Sequence, residues 1–427
     1  MTRFLIEGRH PISGAIEPKG SKNAALPIIA ATLLTDEAVT LTRLPDIADV
    51  RVMANLLQEM GATVSPITNN RATFRAATLR HSAPDRALSQ AIRASFLLAG
   101  PLLARTGSAT LPRPGGDRIG RRPLDAHILA FQEMGVEVDI TSDSYCLTAP
   151  KGLKPADIFL VEMSVMATEN IVMAAVLTPG TTHIHNAASE PHIQDLCQLL
   201  IAMGARIDGV GSNVLTIEGV TSLHGATHEI GPDYLEVGSF IGLAAATGGD
   251  LLIRNCRPRE HRMTAIAYGR LGIEWEVRGE DIYLPRHPKL EIREDMHGAL
   301  TKIDDGPWPA FPADLVSIAL VVATQAAGTI LIHEKMFESR LFWVDKLISM
   351  GARIILCDPH RAVVVGRSPL FAQRLSSPDI RAGMALVIAA LCAEGQSEIQ
   401  NVEQIDRGYE RLDERLRALG ARIERAD

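Results

Sequence analysis

Six times along the chain, an amphipathic stretch runs into Met-Gly or Leu-Gly and then into a short β-prone run. The six junctions are Met60-Gly61-Ala62, Met134-Gly135-Val136, Met203-Gly204-Ala205, Leu271-Gly272-Ile273, Met350-Gly351-Ala352 and Leu419-Gly420-Ala421. They recur about every 70 residues, and a regular internal period constrains architecture more than any other sequence signal. A glycine after the last helical residue takes the left-handed conformation that closes a helix and releases the chain into a strand. Before each junction lies a second, Ala-rich stretch that is apolar on most sides. These begin near Asn23, Arg93, Thr168, Val237, Ala313 and Arg381. A segment apolar all round predicts a buried helix, and one with a single apolar stripe predicts a surface helix. A glycine turn and a β-prone run tend to follow the buried one, as in Pro179-Gly180-Thr181-Thr182-His183-Ile184. Each unit therefore supplies an inner helix, an outer helix and strands, which makes the chain an α/β protein. A repeat longer than the roughly 20 to 50 residues of a solenoid carries its own small sheet.

With 427 residues the chain exceeds what one hydrophobic core ordinarily holds. Two domains of three units each are the natural division. No Pro/Gly/Ser-rich linker marks the boundary, and the best crossings are the loops at Pro18 to Ser21 and Ala226 to Pro232.

The formal net charge of −7 argues against a general nucleic-acid binder, which needs a basic surface to displace counterions. It leaves room for a basic pocket within an acidic surface. The five cysteines, Cys146, Cys197, Cys256, Cys357 and Cys392, are scattered and form no Cys-x-x-Cys pair. That pattern speaks against a zinc site or a disulfide framework and for a reducing compartment. The N-terminus has no long apolar segment, and apolar runs such as Met384 to Ala393 are too short to span a bilayer. The expectation is a cytoplasmic protein without membrane association. No Gly-x-Gly-x-x-Gly or Walker sequence is present.

Polar residues cluster where the inner helices begin: Lys22-Asn23, Arg93, Thr168-Glu169-Asn170, Asp314 and Arg381. A helix N-terminus presents unpaired N–H groups and partial positive charge, and so favours phosphate and carboxylate. A lysine or arginine at such a place is commonly a solvated surface charge. Recurrence at equivalent places in several units favours a function, with two facing domains forming one basic cleft. A second segment, Leu111 to His127, holds Pro114-Gly115-Gly116 and four arginines, Arg113, Arg118, Arg121 and Arg122, around one acid, Asp117. An exposed charged loop would read the same way. Charge density together with glycine favours a lid that closes over an anionic substrate.

These segments resemble the enolpyruvyl transferases that act on UDP-N-acetylglucosamine. Gly20-Ser-Lys22-Asn23-Ala-Ala-Leu-Pro27 is similar to that family's Gly-[Ala/Ser]-Lys-Asn-Ala-Ala-Leu-Pro signature, and Pro114 to His127 resembles its lid. Ser164-Val-Met-Ala-Thr-Glu-Asn170, Asn186-Ala-Ala-Ser-Glu-Pro191, Phe311-Pro-Ala-Asp314, Phe337-Glu-Ser-Arg340, Asp379-Ile-Arg381-Ala and Asp406-Arg407-Gly-Tyr-Glu-Arg411 match in order, over nearly the whole chain. The resemblance implies a two-domain inside-out α/β barrel built from six similar units, three per domain. Residues 1–21 with 231–427 would form the domain bearing both termini. Residues 22–230 would form the second, carrying a lid loop at 112–123.

The family reaction moves the enolpyruvyl group of phosphoenolpyruvate to the sugar 3-hydroxyl and releases phosphate, opening peptidoglycan precursor synthesis. It passes through a tetrahedral ketal with no metal or organic cofactor, and the resemblance implies no obligate protein partner. Such a site must hold two anions together, protonate the methylene carbon, deprotonate the attacking hydroxyl and exclude water. Carried over by motif, Lys22, Arg122 and Arg407 would bind the phosphoenolpyruvate phosphate or carboxylate, and Arg93, Arg340 and Arg381 would line the same basic cleft. Asn23 and Asp314 would contact the sugar, with Asp314 the base for its hydroxyl. Ser164 and Val165 would meet the diphosphate, Pro123, Leu124 and Asp125 the uracil, and His127 the neighbourhood of the nucleotide.

Four positions depart from the family pattern. Asp117 stands where a lid cysteine is usual, an exchange that a subset of the family shares, and would serve as the general acid. Fosfomycin alkylates that cysteine, and a carboxylate is a far poorer nucleophile, so resistance is expected. Met166, His192 and Tyr234 replace a small residue, an acid and an arginine. Two other readings stay open: a related enolpyruvyl transferase with shikimate 3-phosphate or a nucleotide as acceptor, and a non-catalytic paralogue that binds a UDP-sugar.

Overall fold

The computed structural model describes residues 2–117 and 119–427. The chain divides into two compact units, one of Met1–Lys19, Arg118–Arg121 and Pro232–Asp427, the other of Gly20–Asp117 and Arg122–Gly231. Their apolar cores share no residue. We call them unit 1 and unit 2. Of the segment expected as a lid on the second domain, the described residues 119–121 count with unit 1.

Each repeat contributes an inner and an outer helix. The outer helices are Ala48–Glu59, Asp125–Glu133, Pro191–Ala202, Arg262–Gly269, Val344–Ser349 and Leu412–Ala418. The glycines that follow, Gly61, Gly135, Gly204, Gly272, Gly351 and Gly420, all have positive φ, between 80° and 107°. That is the left-handed closure the Met-Gly and Leu-Gly junctions predict.

The inner helices of unit 1 are Tyr234–Thr247, Ala313–Gln325 and Ile380–Cys392, and they pack on one another. Nearly every side chain on them is buried, as their all-round apolar sequences require. In unit 2 the inner elements are Lys22–Ala31, the 3-10 turn Arg93–Leu98 running into Ala99–Thr106, and Val165–Ala175. The second of these starts as 3-10 rather than α, and the fourth starts at Tyr234 rather than near Val237. There Asp233 sets the boundary, its carboxylate accepting from Leu235 N and Glu236 N.

Sheets cover the helices. Six sheets are present among the described residues. In four, an antiparallel set is joined at one side by a parallel strand, and in a fifth by two, Leu290–Glu291 and Lys302–Asp304. Thr227–Glu229 lies parallel to Ala38–Thr42, and Gly14–Ile16 parallel to Leu251–Ile253. The sixth sheet, of Ser108–Pro112, Glu137–Ile140 and Ser144–Thr148, is antiparallel throughout. Equivalent strands Ala38–Thr42, Thr181–His185 and Gln396–Gln400 share one alternation, with their second and fourth residues buried. Arg3–Glu7 inserts between Gln396–Gln400 and Arg422–Ala426, so both ends of the chain lie in unit 1. Helices inside and sheets outside, three repeats to a unit, make this an inside-out α/β barrel.

Candidate active site

Several candidate residues lie at the first turns of inner helical elements: Lys22, Asn23, Arg93, Ser164 and Val165 in unit 2, Asp314 and Arg381 in unit 1. In unit 2, Ser21 caps Lys22–Ala31 by accepting from Ala24 N. Lys22, the first helical residue, is 9% exposed and its ammonium sits 2.8 Å from Asp49 Oδ2. Asn23 beside it is half-buried. Ser164 caps Val165–Ala175 in the same way, accepting from Ala167 N at 3.4 Å, so Val165 opens a helix whose N–H dipoles point toward any anion placed there.

The lid segment meets the second inner element through two glycines. A Cβ on Gly115 would lie 1.8 Å from Gln90 O, and one on Gly116 would lie 2.9 Å from Arg93 Cβ. Only glycine lets the backbone come this close. The approach brings Arg122, Arg93 and Asp117 together: Arg93 Nη2 donates to Arg122 O, and Arg122 Nη2 donates to Asp117 O at 2.8 Å. Burial, and then the positive Arg122, pull Arg93 down to about 10. Two crowded guanidiniums in a half-buried place are relieved by an anion.

The crowd of arginines around Asp117 is smaller than its sequence suggests. Arg113 turns away, donating to Thr141 O at 3.1 Å and lying over the Tyr145 ring at 5.7 Å. In unit 1, Arg121 N donates to Glu338 Oε1 at 2.8 Å, and Ser339 N to Ile119 O at 3.1 Å. Arg118 lies outside the described residues. Pro123 and Asp125 are exposed around the start of helix Asp125–Glu133, while Leu124 is buried. His127 is 2% exposed, with its ring edge-on to Phe96 at 5.1 Å and Nδ1 3.1 Å from the Asn170 amide. Its ring packs in the core of unit 2.

Unit 1 builds a second cluster around Asp314. Asp314 and Arg381 are each the second residue of an inner helix, Ala313–Gln325 and Ile380–Cys392. Arg381 Nε is 3.1 Å from Asp314 Oδ2, and Arg340 Nη2 is 2.8 Å from Asp314 Oδ1. One carboxylate is thus oriented by two guanidiniums. Arg381 also donates to the Tyr409 hydroxyl at 3.1 Å, which pairs with Ser239 at 2.9 Å. Asp379 caps its helix through Arg381 N and Ala382 N. Burial alone would lower both arginines; nearby acids, Asp314 first, outweigh it at Arg340, Tyr409 and Asp314 at Arg381, and both are held above the usual range. Arg407 donates to Gln404 Oε1 at 2.9 Å.

Sequence reasoning did not single out Asp49, Glu334, Asp305 or Tyr409. Asp49 lies early in an outer helix, and Asp305 and Glu334 are acids just beyond strand ends. No local pattern distinguishes them. Of the departures, His192 is 4% exposed, Met166 is half-buried and Tyr234 meets Trp308 edge-on at 5.7 Å. Among the described residues, no group of three or more His, Cys, Asp and Glu could hold a metal ion, and no helix is long and apolar enough to cross a membrane.

Comparison with known proteins gives a consistent answer. A family profile described as EPSP synthase (3-phosphoshikimate 1-carboxyvinyltransferase) matches residues 6–416. A UDP-N-acetylglucosamine 1-carboxyvinyltransferase from Treponema denticola is 54% identical over 424 residues, 99% of each chain. One of the same name from Bradyrhizobium diazoefficiens is 52% identical, covering 99% of this chain and 98% of that one. Among solved structures, the enolpyruvyl transferase NikO from Streptomyces tendae superimposes with a TM-score of 0.88 at 23% identity, over 100% of this chain and 99% of that one. An EPSP synthase from Acinetobacter baumannii gives 0.76 at 18%, over all of both chains. These two share the fold. A profile match across nearly the whole chain, with full-length relatives above half identity, means that the chain belongs to the EPSP synthase family of enolpyruvyl transferases, on the branch of the UDP-N-acetylglucosamine 1-carboxyvinyltransferases.

Proposed function

We propose that this chain transfers the enolpyruvyl group of phosphoenolpyruvate to the 3-hydroxyl of UDP-N-acetylglucosamine with release of phosphate, the first committed step of peptidoglycan precursor synthesis. The observation that carries this reading is full-length identity of 54% to a relative of that name, combined with ionisable residues standing at the starts of the inner helices. Lys22, Arg93 and Arg122 supply positive charge for phosphate and carboxylate, with Arg407 assisting. Asn23 and Asp314 take the sugar, Ser164 and Val165 the diphosphate, and Pro123 to Asp125 the uracil. His127, buried against Asn170, supports that region from within the core. Five unpaired cysteines fit a cytoplasmic setting.

The chemistry follows from the groups. Asp314, oriented by Arg340 and Arg381, accepts the proton of the attacking hydroxyl as the C–O bond forms at C2 of phosphoenolpyruvate. Asp117 delivers a proton to the methylene carbon, giving the tetrahedral ketal. The Asp117 carboxylate then takes back a methyl proton, phosphate leaves with the proton held by Asp314, and the vinyl group is regenerated on the sugar oxygen. Guanidinium donors stabilise phosphate as it gathers charge on leaving.

Purified protein mixed with phosphoenolpyruvate and UDP-N-acetylglucosamine should release phosphate, with no release when shikimate 3-phosphate is the acceptor. The opposite pattern would overturn the choice of acceptor. Asp314→Ala should still bind both substrates and lose at least about a hundredfold in kcat. Fosfomycin should leave the enzyme active after prolonged incubation with phosphoenolpyruvate and UDP-N-acetylglucosamine, because Asp117 replaces the nucleophilic thiol. Rapid covalent inactivation would remove that reading of Asp117.

A further inference from the structure

Two adjacent parallel strands of unit 1, Lys302–Asp304 and Ala326–His333, end level with each other, Asp304 being registered on His333. The next residue on each is an acid, Asp305 and Glu334, and they are 1% and 0% exposed. Strand register therefore brings two buried carboxyls together. Asp305 Oδ1 accepts from Lys335 N at 2.5 Å, and Glu334 Oε1 from Met336 N and Phe337 N at 3.2 and 3.0 Å. Their other oxygens, Asp305 Oδ2 and Glu334 Oε2, have no donor among the described residues. The two carboxyls face one another, and two facing acceptors are satisfied only when one of them carries a proton. Burial, with Asp305 adding to it, raises Glu334 to about 9 against the opposing pull of Arg340.

Arg340 makes the connection to the proposed chemistry. It is 4% exposed, and its Nη2 bonds Asp314 Oδ1 at 2.8 Å. Its Nε lies 3.6 Å from Glu334 Oε2, beyond hydrogen-bond length, and has no other acceptor among the described residues. The guanidinium is bonded to one carboxylate and stands off from a second, neutral carboxyl. The remaining titratable groups around Glu334 have other partners. His360 Nδ1 is 2.7 Å from Glu334 O, and the Lys335 ammonium pairs with Asp304.

We propose that Glu334, backed by Asp305, is a positioning residue that acts on Asp314 through Arg340. While neutral it leaves the guanidinium to orient the Asp314 carboxylate. Once ionised it draws Nε toward itself and loosens that grip. The proposal rests on Asp314 being the base for the sugar hydroxyl.

The test is steady-state kinetics on the full-length enzyme with phosphoenolpyruvate and UDP-N-acetylglucosamine, from pH 6 to about 10, for wild type, Glu334→Gln, Glu334→Ala and Asp314→Asn. Wild-type kcat should fall near pH 9, and Glu334→Gln should keep kcat within about twofold at pH 7 and lose that fall. Glu334→Ala also removes the Oε1 acceptor of Met336 N and Phe337 N in the turn that carries Arg340, and should lower kcat about tenfold with both KM values within about twofold, a split that general loss of stability would not produce. An unchanged alkaline fall in Glu334→Gln, or an unchanged kcat in Glu334→Ala, overturns the proposal. If Glu334→Ala does not fold, the Glu334→Gln profile decides by itself. Asp314→Asn separates the two levels. Wild-type turnover in that variant sinks the assignment of the base, whereas an inactive Asp314→Asn with an unaltered Glu334→Gln profile sinks the positioning role alone.

Discussion

His127 shows how far burial carries a side chain from what its sequence context suggests. Its motif associates it with the nucleotide, yet its ring lies against Phe96 and Asn170 at 2% exposure. Burial first, and the positive Arg93 second, lower it to about 3, and burial lowers His261 to about 4. An unfolded histidine takes up its proton near about 6.5. Between that pH and the folded values, the unfolded chain binds more protons, so stability rises with pH there. The contribution is complete above about 6.5 and is lost as pH falls toward the folded values. Each proton is worth about 1.4 kcal/mol per pH unit. Urea unfolding between about pH 4.5 and 7 should therefore show His127→Gln with a shallower fall than wild type, by about one proton. Parallel curves would mean that His127 is not held neutral. The sequence set His127 at the end of the segment read as a lid, whereas it lies in the first turn of helix Asp125–Glu133. Its immersion was not readable either, because that depends on Phe96 and on Asn170, which is 43 residues away.

At the level of elements, the helix stops were the most legible feature. All six junction glycines have positive φ, and the local reason is the same in each. Their surroundings differ, and the consequences of substitution should differ with them. A Cβ on Gly204 would meet only the His224 ring, at 3.3 Å. One on Gly272 would lie 2.7 Å from Glu291 O and 2.9 Å from Glu291 N, which are backbone atoms. Gly204→Ala should cost about 1 kcal/mol, the ordinary penalty for the left-handed conformation. Gly272→Ala should cost about 2 kcal/mol more, because the backbone of a neighbouring strand must shift. Equal costs in chemical denaturation would leave conformation as the whole effect. Helix starts were less legible than stops. A helix apolar on every side gives no periodic cue to its first turn, and the boundary falls to a single cap such as Asp233 or to the 3-10 turn that opens at Arg93.

Across the whole molecule, two apolar cores share no residue, and each is large enough to unfold cooperatively. Calorimetry should give a total enthalpy exceeding the van't Hoff value. Leu320→Ala, in the core of unit 1, and Leu199→Ala, in that of unit 2, should each lower a different transition, by about 2 to 5 kcal/mol. A joint shift of both transitions by either substitution would mean a single cooperative unit. The amino-acid sequence by itself determined the period, the inner and outer character of the helices, the junction glycines and the charge gathered at inner-helix starts. All of these are written in residues a turn or a strand apart, where backbone geometry is the only intermediary. Tertiary structure alone decided that Arg340 and Arg381 share Asp314 across 26 and 67 residues, and that Asp305 faces Glu334. Those contacts depend on strand register and on how buried helices pack, and neither leaves a local signature in the chain.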